Sequence, residues 1–558
     1  MKMKSINTKK LRYGGVTALL TALIIAAVIV GNVIFSALAQ KFLWYADLTP
    51  ELLFTLSEEC VDLIANGDDS FADSAASPIE MVDRYRAEKR AQDPNFKDED
   101  LMINVIFCDD PDVWESSALQ KYVYETAKQL QEKFPEYINI INHDIIWNPS
   151  AVSKYDGATT TSVIIECGTE YRVRSVKDFY TWDSEDTNTP WAYNGEKIFA
   201  AGILAVTRSE TPIACLTVNH GEQWNESNAQ LLITLETAGY QVQALDLATD
   251  EIPADCRLLV VMDPQTDFRV ADGVSQVDEI EKLDAFLDGT NSMMVFMGSD
   301  SPLAQFESYL EEWGIVFDRK QEGNTYYPYM ITDPSQSYYG NGGYTIEANY
   351  VTEGMGGKIT QALRAGATVA PSIVFQNAMS ISYSDQYQMT HYTDENDAGV
   401  SYDYGAYSVD GVSRSIYDVF VTSENAVAMA GGSQAEKATA INPLKLMTVS
   451  MEDRTTQENN YATLTEASYV IACGSPEFAN TTVINNNAYG NNSFLEYALR
   501  AIGQEPVPVG LEFKVFGDYT MDTVTTAEAT QYTVVLTVVP AVLAIVVGTV
   551  VIIRRKNR

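Results

Sequence analysis

Residues 213–222, IACLTVNHGE, open with an unbroken apolar run and close with a polar turn. A short apolar run bounded by turn residues is typical of a fully buried strand. Downstream, Leu231, Leu235 and Ala238 recur at helical spacing until Gly239 ends the pattern. Further strand-like runs lie at 240–245, 257–262 and 292–297, and further helical patterns lie at 277–287 and 303–313. This alternation predicts a doubly wound parallel sheet with helices on both faces.

A second, smaller α/β domain is predicted closer to the N-terminus. Met102–Cys108 is an apolar strand-like run, and residues 119–134 carry apolar side chains at helical spacing. Strand character returns at Tyr137–Ile141, which completes a βαβ unit. Two more strand-like segments, at 163–165 and 171–174, extend the expected sheet.

Capping residues mark the start of two predicted helices. Ser57 is expected to cap a short helix, because a serine side chain can accept a hydrogen bond from a free amide of the first turn. Ser301 is expected to do the same, with Pro302 at the first helical position and Gly314 at the end of that helix.

Both ends of the chain are hydrophobic and flanked by positive charge. Val16–Ala39 and Thr533–Ile553 are nearly all apolar and contain no acid, and a helix of roughly 20 apolar residues crosses a bilayer. Basic residues beside a span stay in the cytoplasm. We therefore expect two spans in the cell membrane, with both termini cytoplasmic and the main body extracytoplasmic. Cleavage after Ala39 is an alternative, because Ala37-Leu38-Ala39 has the form of a signal-peptidase site.

These patterns divide the chain into successive segments. The first half comprises a basic tail (1–14), a transmembrane helix (15–39), a juxtamembrane linker (40–99), the small α/β domain (100–205) and the larger α/β domain (206–322). The second half comprises a Tyr-, Gly- and Asn-rich β-prone insertion (323–450), the returning part of the larger domain (451–515), a linker (516–532), a transmembrane helix (533–553) and a basic tail (554–558).

The body between the predicted spans is strongly acidic. The chain holds 37 Lys and Arg against 76 Asp and Glu, a formal net charge of −39. Nine of the bases lie in the terminal tails and none of the acids does, which leaves the body with 28 bases and a net charge near −48. Such a charge repels nucleic acid and anionic headgroups, and it argues against a nucleic-acid partner. It suits either a solubilising surface or the binding of cationic ligands.

The six cysteines show neither CxxC spacing nor the spacing of a metal site. Four of them, Cys108, Cys167, Cys215 and Cys473, lie in or beside apolar strand-like runs. We therefore expect small buried core residues rather than a disulfide framework.

Polar residues follow the predicted strands of the larger domain, where open α/β sheets bind ligands. His220 and Glu222 follow the first strand, Asp263 the third, and Ser299 and Asp300 the fourth. These five residues are the candidate ligand contacts. Two interpretations of the His-Gly-Glu segment stay open. With Asp263 it could bind a metal or act as acid and base. Alternatively, its side chains could order the turn and cap the next helix through backbone amides.

Motifs for catalysis are missing from the sequence. It contains neither GxxxxGKS nor GxxxxGKT, so it has no P-loop, and it contains no GxSxG elbow and no HExxH. No strand is followed by GxGxxG. The sequence therefore predicts no catalytic residue, no cofactor and no metal site.

A series of different short segments occurs in a characteristic order along nearly the whole chain. They are Asp47-Leu48-Thr49, Phe54–Ser57, Val163–Glu166, Phe179-Tyr180, Gly195-Glu196-Lys197, Leu204–Thr207, His220-Gly221-Glu222, Leu245-Asp246-Leu247, Ile252–Asp255, Met262–Phe268 and Gly474–Asn480. With the leading span and the basic-tailed terminal span, this order resembles the gliding-motility GldG-like family. Members of that family are auxiliary components of ABC-type transport systems. The chain departs most from the family pattern in residues 323–450.

The resemblance implies a glutamine-amidotransferase-like fold for the larger domain. The nucleophilic Cys of those enzymes has no counterpart near Met297-Gly298-Ser299, which implies a non-catalytic descendant. The resemblance also implies an ABC permease and a separate ATPase as partners. We therefore expect an auxiliary membrane subunit, held in the lipid bilayer, whose outer body binds a ligand or an envelope partner. The alternatives are a membrane-anchored metal-dependent hydrolase that uses the strand-end residues, and a structural surface protein.

Overall fold

A computed structural model describes residues 53–516 with short gaps, together with residues 30, 553 and 554. The gaps are 54, 68–76, 156, 183–188, 209–210, 272–275, 339–341, 365–369, 394–400, 410–411, 431–434, 437–442, 460–461, 487, 504–507, 509 and 512. The chain up to Lys514 forms one compact unit, and Val515 begins a second.

The described residues contain no helix with the length and apolar character needed to cross a bilayer. The spans predicted at 15–39 and 533–553, and the tails beyond them, lie outside the described part of the chain except for residues 30, 553 and 554. The two spans stay predictions.

The smaller sheet forms in the first part of the compact unit. The elements of this part of the chain are α1 (Glu58–Asn66), α2 (Pro78–Gln92), β1 (Ile103–Phe107), α3 (Pro111–Ser116), α4 (Gln120–Lys133), β2 (Ile138–Asn142), β3 (Ser162–Cys167), β4 (Glu170–Ser175), β5 (Tyr180–Trp182), β6 (Pro190–Tyr193) and α5 (Gly195–Thr207). Four strands pair in the order β2-β1-β3-β4, and β1 and β2 are parallel. The predicted βαβ unit is therefore confirmed.

The rest of the described chain, from residue 213, contains the larger sheet together with strands of smaller sheets. Its first elements are β7 (Ile213–Thr217), α6 (Ala229–Thr237), β8 (Gln241–Leu245), β9 (Cys256–Met262), α7 (Glu279–Asp288), β10 (Ser292–Phe296), α8 (Ala304–Glu312), β11 (Ile315–Phe317), β12 (Arg319–Glu322) and β13 (Thr325–Thr332). The next are β14 (Thr345–Glu347), β15 (Asn349–Tyr350), α9 (Gly354–Arg364), β16 (Val374–Gln376), β17 (Ile381–Tyr383), β18 (Gln388–Thr393), β19 (Ser401–Val409) and β20 (Val412–Val421). The last are β21 (Val427–Ala430), β22 (Ala435–Glu436), β23 (Lys445–Asn459), β24 (Ala462–Cys473), α10 (Thr481–Ile484), α11 (Asn491–Gly503) and β25 (Lys514–Val515).

Five strands of the larger sheet are parallel and lie in the order β8-β7-β9-β10-β24. Strands β23, β20, β19 and β18 continue the same sheet in antiparallel fashion. The α/β class is confirmed, and so is the return of the late strand to this sheet. The antiparallel extension was not predicted, and it places much of the 323–450 region on the main sheet.

Alternate residues of the parallel strands enter two different hydrophobic cores. On β7, Ala214 and Leu216 pack in a core shared with α6 and α11, whereas Ile213 and Cys215 pack in a core shared with α7 and α8. Because successive side chains of a strand point to opposite faces, helices cover both faces of the sheet. A strand buried on both faces is apolar throughout, which explains the unbroken run that begins at residue 213.

The local predictions had mixed outcomes. All six cysteines are unpaired and buried, which confirms the four assigned to the core. The hydroxyl of Ser57 accepts a hydrogen bond from the Cys60 amide at 3.2 Å, so Ser57 caps α1 as predicted. The prediction for Ser301 is wrong, because α8 begins at Ala304. The first-turn amides of that helix are satisfied from outside, since Asp267 accepts hydrogen bonds from Gln305 (2.9 Å) and Phe306 (3.1 Å).

Helix α5 is buried along all 13 of its residues, although it carries two charges in its first turn. Lys197 donates a hydrogen bond to Glu496 of α11 at 2.6 Å, and both side chains are less than a tenth exposed. Glu196 accepts a hydrogen bond from the Ser57 amide (3.0 Å) and forms an ion pair with Lys514. Lys514 also donates to the Thr55 carbonyl at 2.5 Å. The two charges of α5 therefore connect four distant parts of the chain.

Substitution of Lys197 tests the contribution of this buried ion pair. Lys197→Met leaves Glu496 buried without its cation, and we expect the free energy of unfolding to fall by about 3–5 kcal/mol. The double variant with Glu496→Leu removes both charges and should recover most of the loss. Urea unfolding of the full chain in detergent, followed by tryptophan fluorescence, measures the differences.

The more exposed ion pair between Lys128 and Glu115 provides a control. Glu115→Gln should change the free energy of unfolding by less than about 1 kcal/mol. Equal effects of the Lys197→Met and Glu115→Gln variants would contradict the assignment of Lys197 as a structural anchor.

Candidate functional site

A crevice lies at the carboxyl ends of the parallel strands. Numbered along the chain from β7, the five parallel strands have the order 2-1-3-4-5, so the chain turns to opposite sides after β7 and after β8. Sheets of this kind bind ligands at that switch point. The crevice has a volume of about 210 Å³ and is lined by Gln223, Asn225, Ser227, Asn228, Met262, Asp263, Pro476, Glu477 and Asn480.

His220 is not among the lining residues of this crevice and lies in a buried cluster with two carboxylates. Its Nδ1 is 3.3 Å from Glu222 Oε1, and its Nε2 is 3.1 Å from Glu279 Oε2. The imidazole is stacked on the Phe268 ring, with the ring centroids 3.9 Å apart and the planes 3° from parallel. The two carboxylates fix the orientation of the ring, and the aromatic face covers it.

Hydrogen bonds to the backbone connect the loops that surround the same cluster. The His220 carbonyl accepts from the amides of Gln265 (2.6 Å) and Thr266 (2.8 Å), which connects the loop after β7 to the loop after β9. Glu279 accepts from the Arg269 amide at 2.6 Å. Glu222 accepts from the His220 amide at 2.7 Å. The carboxylates therefore order the backbone as well as the imidazole.

The charges in this cluster shift the acid–base equilibria of two groups. Burial alone would lower the pKa of His220, but the hydrogen bonds and negative charges of the two glutamates outweigh it, and the pKa is raised above its ordinary 6.5. Burial would raise the pKa of Glu222, but hydrogen bonds from His220, a backbone amide and Thr217 lower it. Both shifts favour an imidazolium that donates to two carboxylates.

Both ring nitrogens of His220 lie within hydrogen-bond distance of a carboxylate, which leaves neither open to a metal ion or to a proton from a substrate. Within the part of the chain that the structure describes, no three His, Cys, Asp or Glu side chains are grouped as metal ligands. The geometry favours the turn-ordering interpretation of His220 and Glu222. The capping half of that interpretation is wrong, because Asn225 caps the next turn by accepting from the Ser227 amide at 2.8 Å.

Asp263 lines the crevice and has left-handed backbone geometry, with φ at 47°. Its carboxylate accepts a hydrogen bond from the Gly298 amide at 2.9 Å. Burial raises the pKa of Asp263, and this rise exceeds the opposing effect of the Gly298 hydrogen bond; the nearby charges of Glu477 and Asp300 raise it further. Asp263 thus joins the ends of β9 and β10 and places a carboxylate in the crevice.

The remaining candidates have different surroundings. Ser299 is buried, and its hydroxyl donates to the Ser301 carbonyl at 3.0 Å. Its own carbonyl accepts from the guanidinium of Arg319 at 2.9 Å. Asp300 is exposed at the same edge. The five sequence candidates therefore separate into a buried turn, a crevice carboxylate and an outer rim.

Sequence reasoning missed one of the main site residues and did not select another. Glu279 is the second partner of His220, but it lies 59 residues away along the chain and no local pattern indicates it. Glu477 lies in the Gly474–Asn480 segment that follows β24, where a returning strand end was expected. The sequence therefore placed Glu477 at a strand end, although it was not selected as a candidate ligand contact.

The fold and crevice define an α/β protein with a polar crevice at the strand ends. Comparison with known proteins gives no match among family models, curated proteins or solved structures. The interpretation of the site therefore comes from its own geometry.

The His220 cluster predicts a specific pH dependence of stability. A raised folded-state pKa stabilises the fold fully below the unfolded value near 6.5, and this contribution disappears as pH rises through the folded pKa. Glu222 behaves in the opposite sense, since its lowered pKa stabilises the fold above 4.5 and the contribution disappears as pH falls. Above about pH 6.5, we therefore expect the free energy of unfolding to decline less steeply in Glu222→Gln than in the natural chain.

Urea unfolding at several pH values measures this difference. Glu251→Gln is the matched control, because it removes the same charge from a side chain that is 87% exposed. Parallel pH profiles for the natural chain and Glu222→Gln would contradict a charged His220 in the folded state.

Gly221 separates His220 from Glu222 and has φ at 91°. A Cβ at this position would lie 2.8 Å from Gln265 Cβ, so Gly221→Ala adds a steric clash to the cost of left-handed backbone. Gly323 is the matched control, with φ at 64° and open space around the same position. We expect Gly323→Ala to cost about 1 kcal/mol and Gly221→Ala to cost more. Thermal melts of both variants would test this, and equal melting temperatures would show that the Gln265 contact yields freely.

Proposed function

We propose that this chain is a non-catalytic auxiliary subunit of an ABC-type transport system. Its body binds a ligand or an envelope partner outside the membrane, and its two terminal spans contact a permease. The observation that supports this proposal most directly is the separation of the crevice from the His220 cluster. The crevice has the position of a binding site, while His220 is not among its lining residues and has both ring nitrogens within hydrogen-bond distance of a carboxylate.

The lining of the crevice fits binding better than bond cleavage. Four of the nine lining residues carry amide side chains, a group that can donate hydrogen bonds to a polar ligand and accept them from it. Asp263 and Glu477 add negative charge, which favours a ligand with a cationic group. The buried Ser299 hydroxyl has no adjacent base to activate it, since it donates to a backbone carbonyl.

The sequence supplies the membrane half of the proposal. The apolar, basic-flanked ends at 15–39 and 533–553 support two spans, and the ordered segments resemble auxiliary subunits that act beside a separate permease and ATPase. The metal-dependent hydrolase receives less support, because its three residues do not form one group. His220 lies between Glu222 and Glu279, whereas Asp263 accepts a hydrogen bond from the Gly298 amide.

Co-purification from the natural membranes tests the proposed partners. The tagged full-length chain in mild detergent should retain an ABC permease and its ATPase, both identified by mass spectrometry. A variant without residues 533–558 should lose the permease, because the second span is absent. Glu477→Gln should retain both partners and weaken the transport-dependent phenotype, because it alters only the charge of the crevice.

Two results would contradict the auxiliary role. One is the absence of a permease and an ATPase from the full-length preparation. The other is stoichiometric zinc or manganese that disappears in His220→Ala, which would support the hydrolase instead.

A further inference from the structure

Two large apolar side chains project into solvent from the loop after β2. Trp147 is 86% exposed and Ile146 is 68% exposed, and Trp147 is the most exposed large apolar side chain among the described residues. Val113 of α3, which follows the neighbouring strand β1, is 40% exposed. Because β1 and β2 are parallel, both loops lie at the same edge of the smaller sheet. We call Val113, Ile146 and Trp147 the apolar edge.

The loop that carries the apolar edge is held in a defined conformation. The Asp144 carboxylate accepts hydrogen bonds from the amides of Ile146 (3.0 Å) and Trp147 (3.2 Å). The Asp144 carbonyl accepts from the Asn148 amide at 2.9 Å. On the two sides of the exposed pair, Ile145 and Val152 pack in the core of the smaller domain. The exposed side chains therefore project from a turn whose backbone is already ordered.

An ordered, exposed tryptophan is costly unless a partner covers it. Tryptophan is the residue type most enriched among the few that supply most of the energy of protein interfaces. Since the turn is fixed before binding, little conformational entropy is lost when Trp147 enters a pocket. These properties are those of a preorganised anchor for another protein.

The charges around the apolar edge indicate the chemistry of that partner. Asp109, Asp110 and Asp112 follow β1, and Asp144 lies in the loop after β2. The two loops are in contact, because Asn142 donates to the Asp109 carbonyl at 3.4 Å. Four acids at one edge repel anionic headgroups, and they also repel the same edge of a second copy.

We infer that the apolar edge is a docking site for another protein, which has an apolar pocket for Trp147 and a rim of Lys and Arg residues. This inference goes beyond the proposed function and does not use the strand-end crevice.

Photo-crosslinking in natural membranes tests the inference on the full chain. A benzoyl-phenylalanine residue in place of Trp147 should give one discrete protein adduct on illumination. Peptide mapping should place the crosslink in an apolar pocket of the partner flanked by Lys and Arg. The matched control carries the same residue in place of Met389, which is 63% exposed on β18, and should not give that adduct.

A charge-reversal variant separates a specific partner from a merely adhesive surface. Asp112→Lys, added to the crosslinking chain, should reduce the adduct by at least about tenfold, because an acid of the edge becomes a repelling base. High salt should reduce it as well, since screening weakens exposed charge pairs.

Several outcomes would overturn the inference. They are a lipid adduct at position 147, an adduct with a second copy, a partner site without basic residues, the same adduct from position 389, or a yield that Asp112→Lys leaves unchanged. Each can occur whether or not an ABC permease and ATPase co-purify, so failure here is distinguishable from failure of the proposed function.

Discussion

Burying a complete helix that starts with two charges imposes the strictest requirement in this molecule. A lysine or glutamate away from water is tolerated only with a partner of opposite charge and further hydrogen bonds. Helix α5 meets this requirement through partners that lie far apart in sequence, since Lys197 binds Glu496 and Glu196 binds both Ser57 and Lys514. The smaller sheet, α11 and the chain on both sides of the body therefore have to be in place together. A fold built around such contacts gains specificity of arrangement more than net energy.

The same principle explains the cluster around His220. His220, placed after a buried strand, has the sequence position of a catalytic residue, but two glutamates occupy its nitrogens and Phe268 covers its face. These contacts give a rigid wall that connects the loops after β7 and β9. The crevice is lined by other residues, among them Asp263 and Glu477.

Much of the fold could be predicted because buried strands are continuous apolar runs. Residues 213–222 and 257–262 gave both the strands and the strand ends at which Asp263 lies. The region 323–450 was predicted to be β-prone, but the antiparallel strands β18 and β19 were not placed, because polar residues alternate with Tyr and Gly there and no run stands out. The helix cap at Ser301 was predicted wrongly, since Asp267 supplies the cap from another loop. The partnership of His220 with Glu279 is a tertiary contact, which a linear pattern does not contain.

The contacts of Lys514 with Glu196 and Thr55 have a mechanical consequence. The chain enters the body near Thr55 and leaves it near Lys514, and these two residues are joined by a hydrogen bond although 459 positions separate them. The chain between these two residues is therefore closed by a contact between its two ends. Lys514 also begins β25, which pairs with β6, so tension on the two ends loads that small sheet together with the Lys514 contacts to Thr55 and Glu196. None of these residues lines the crevice at the strand ends, so such tension acts on other contacts first.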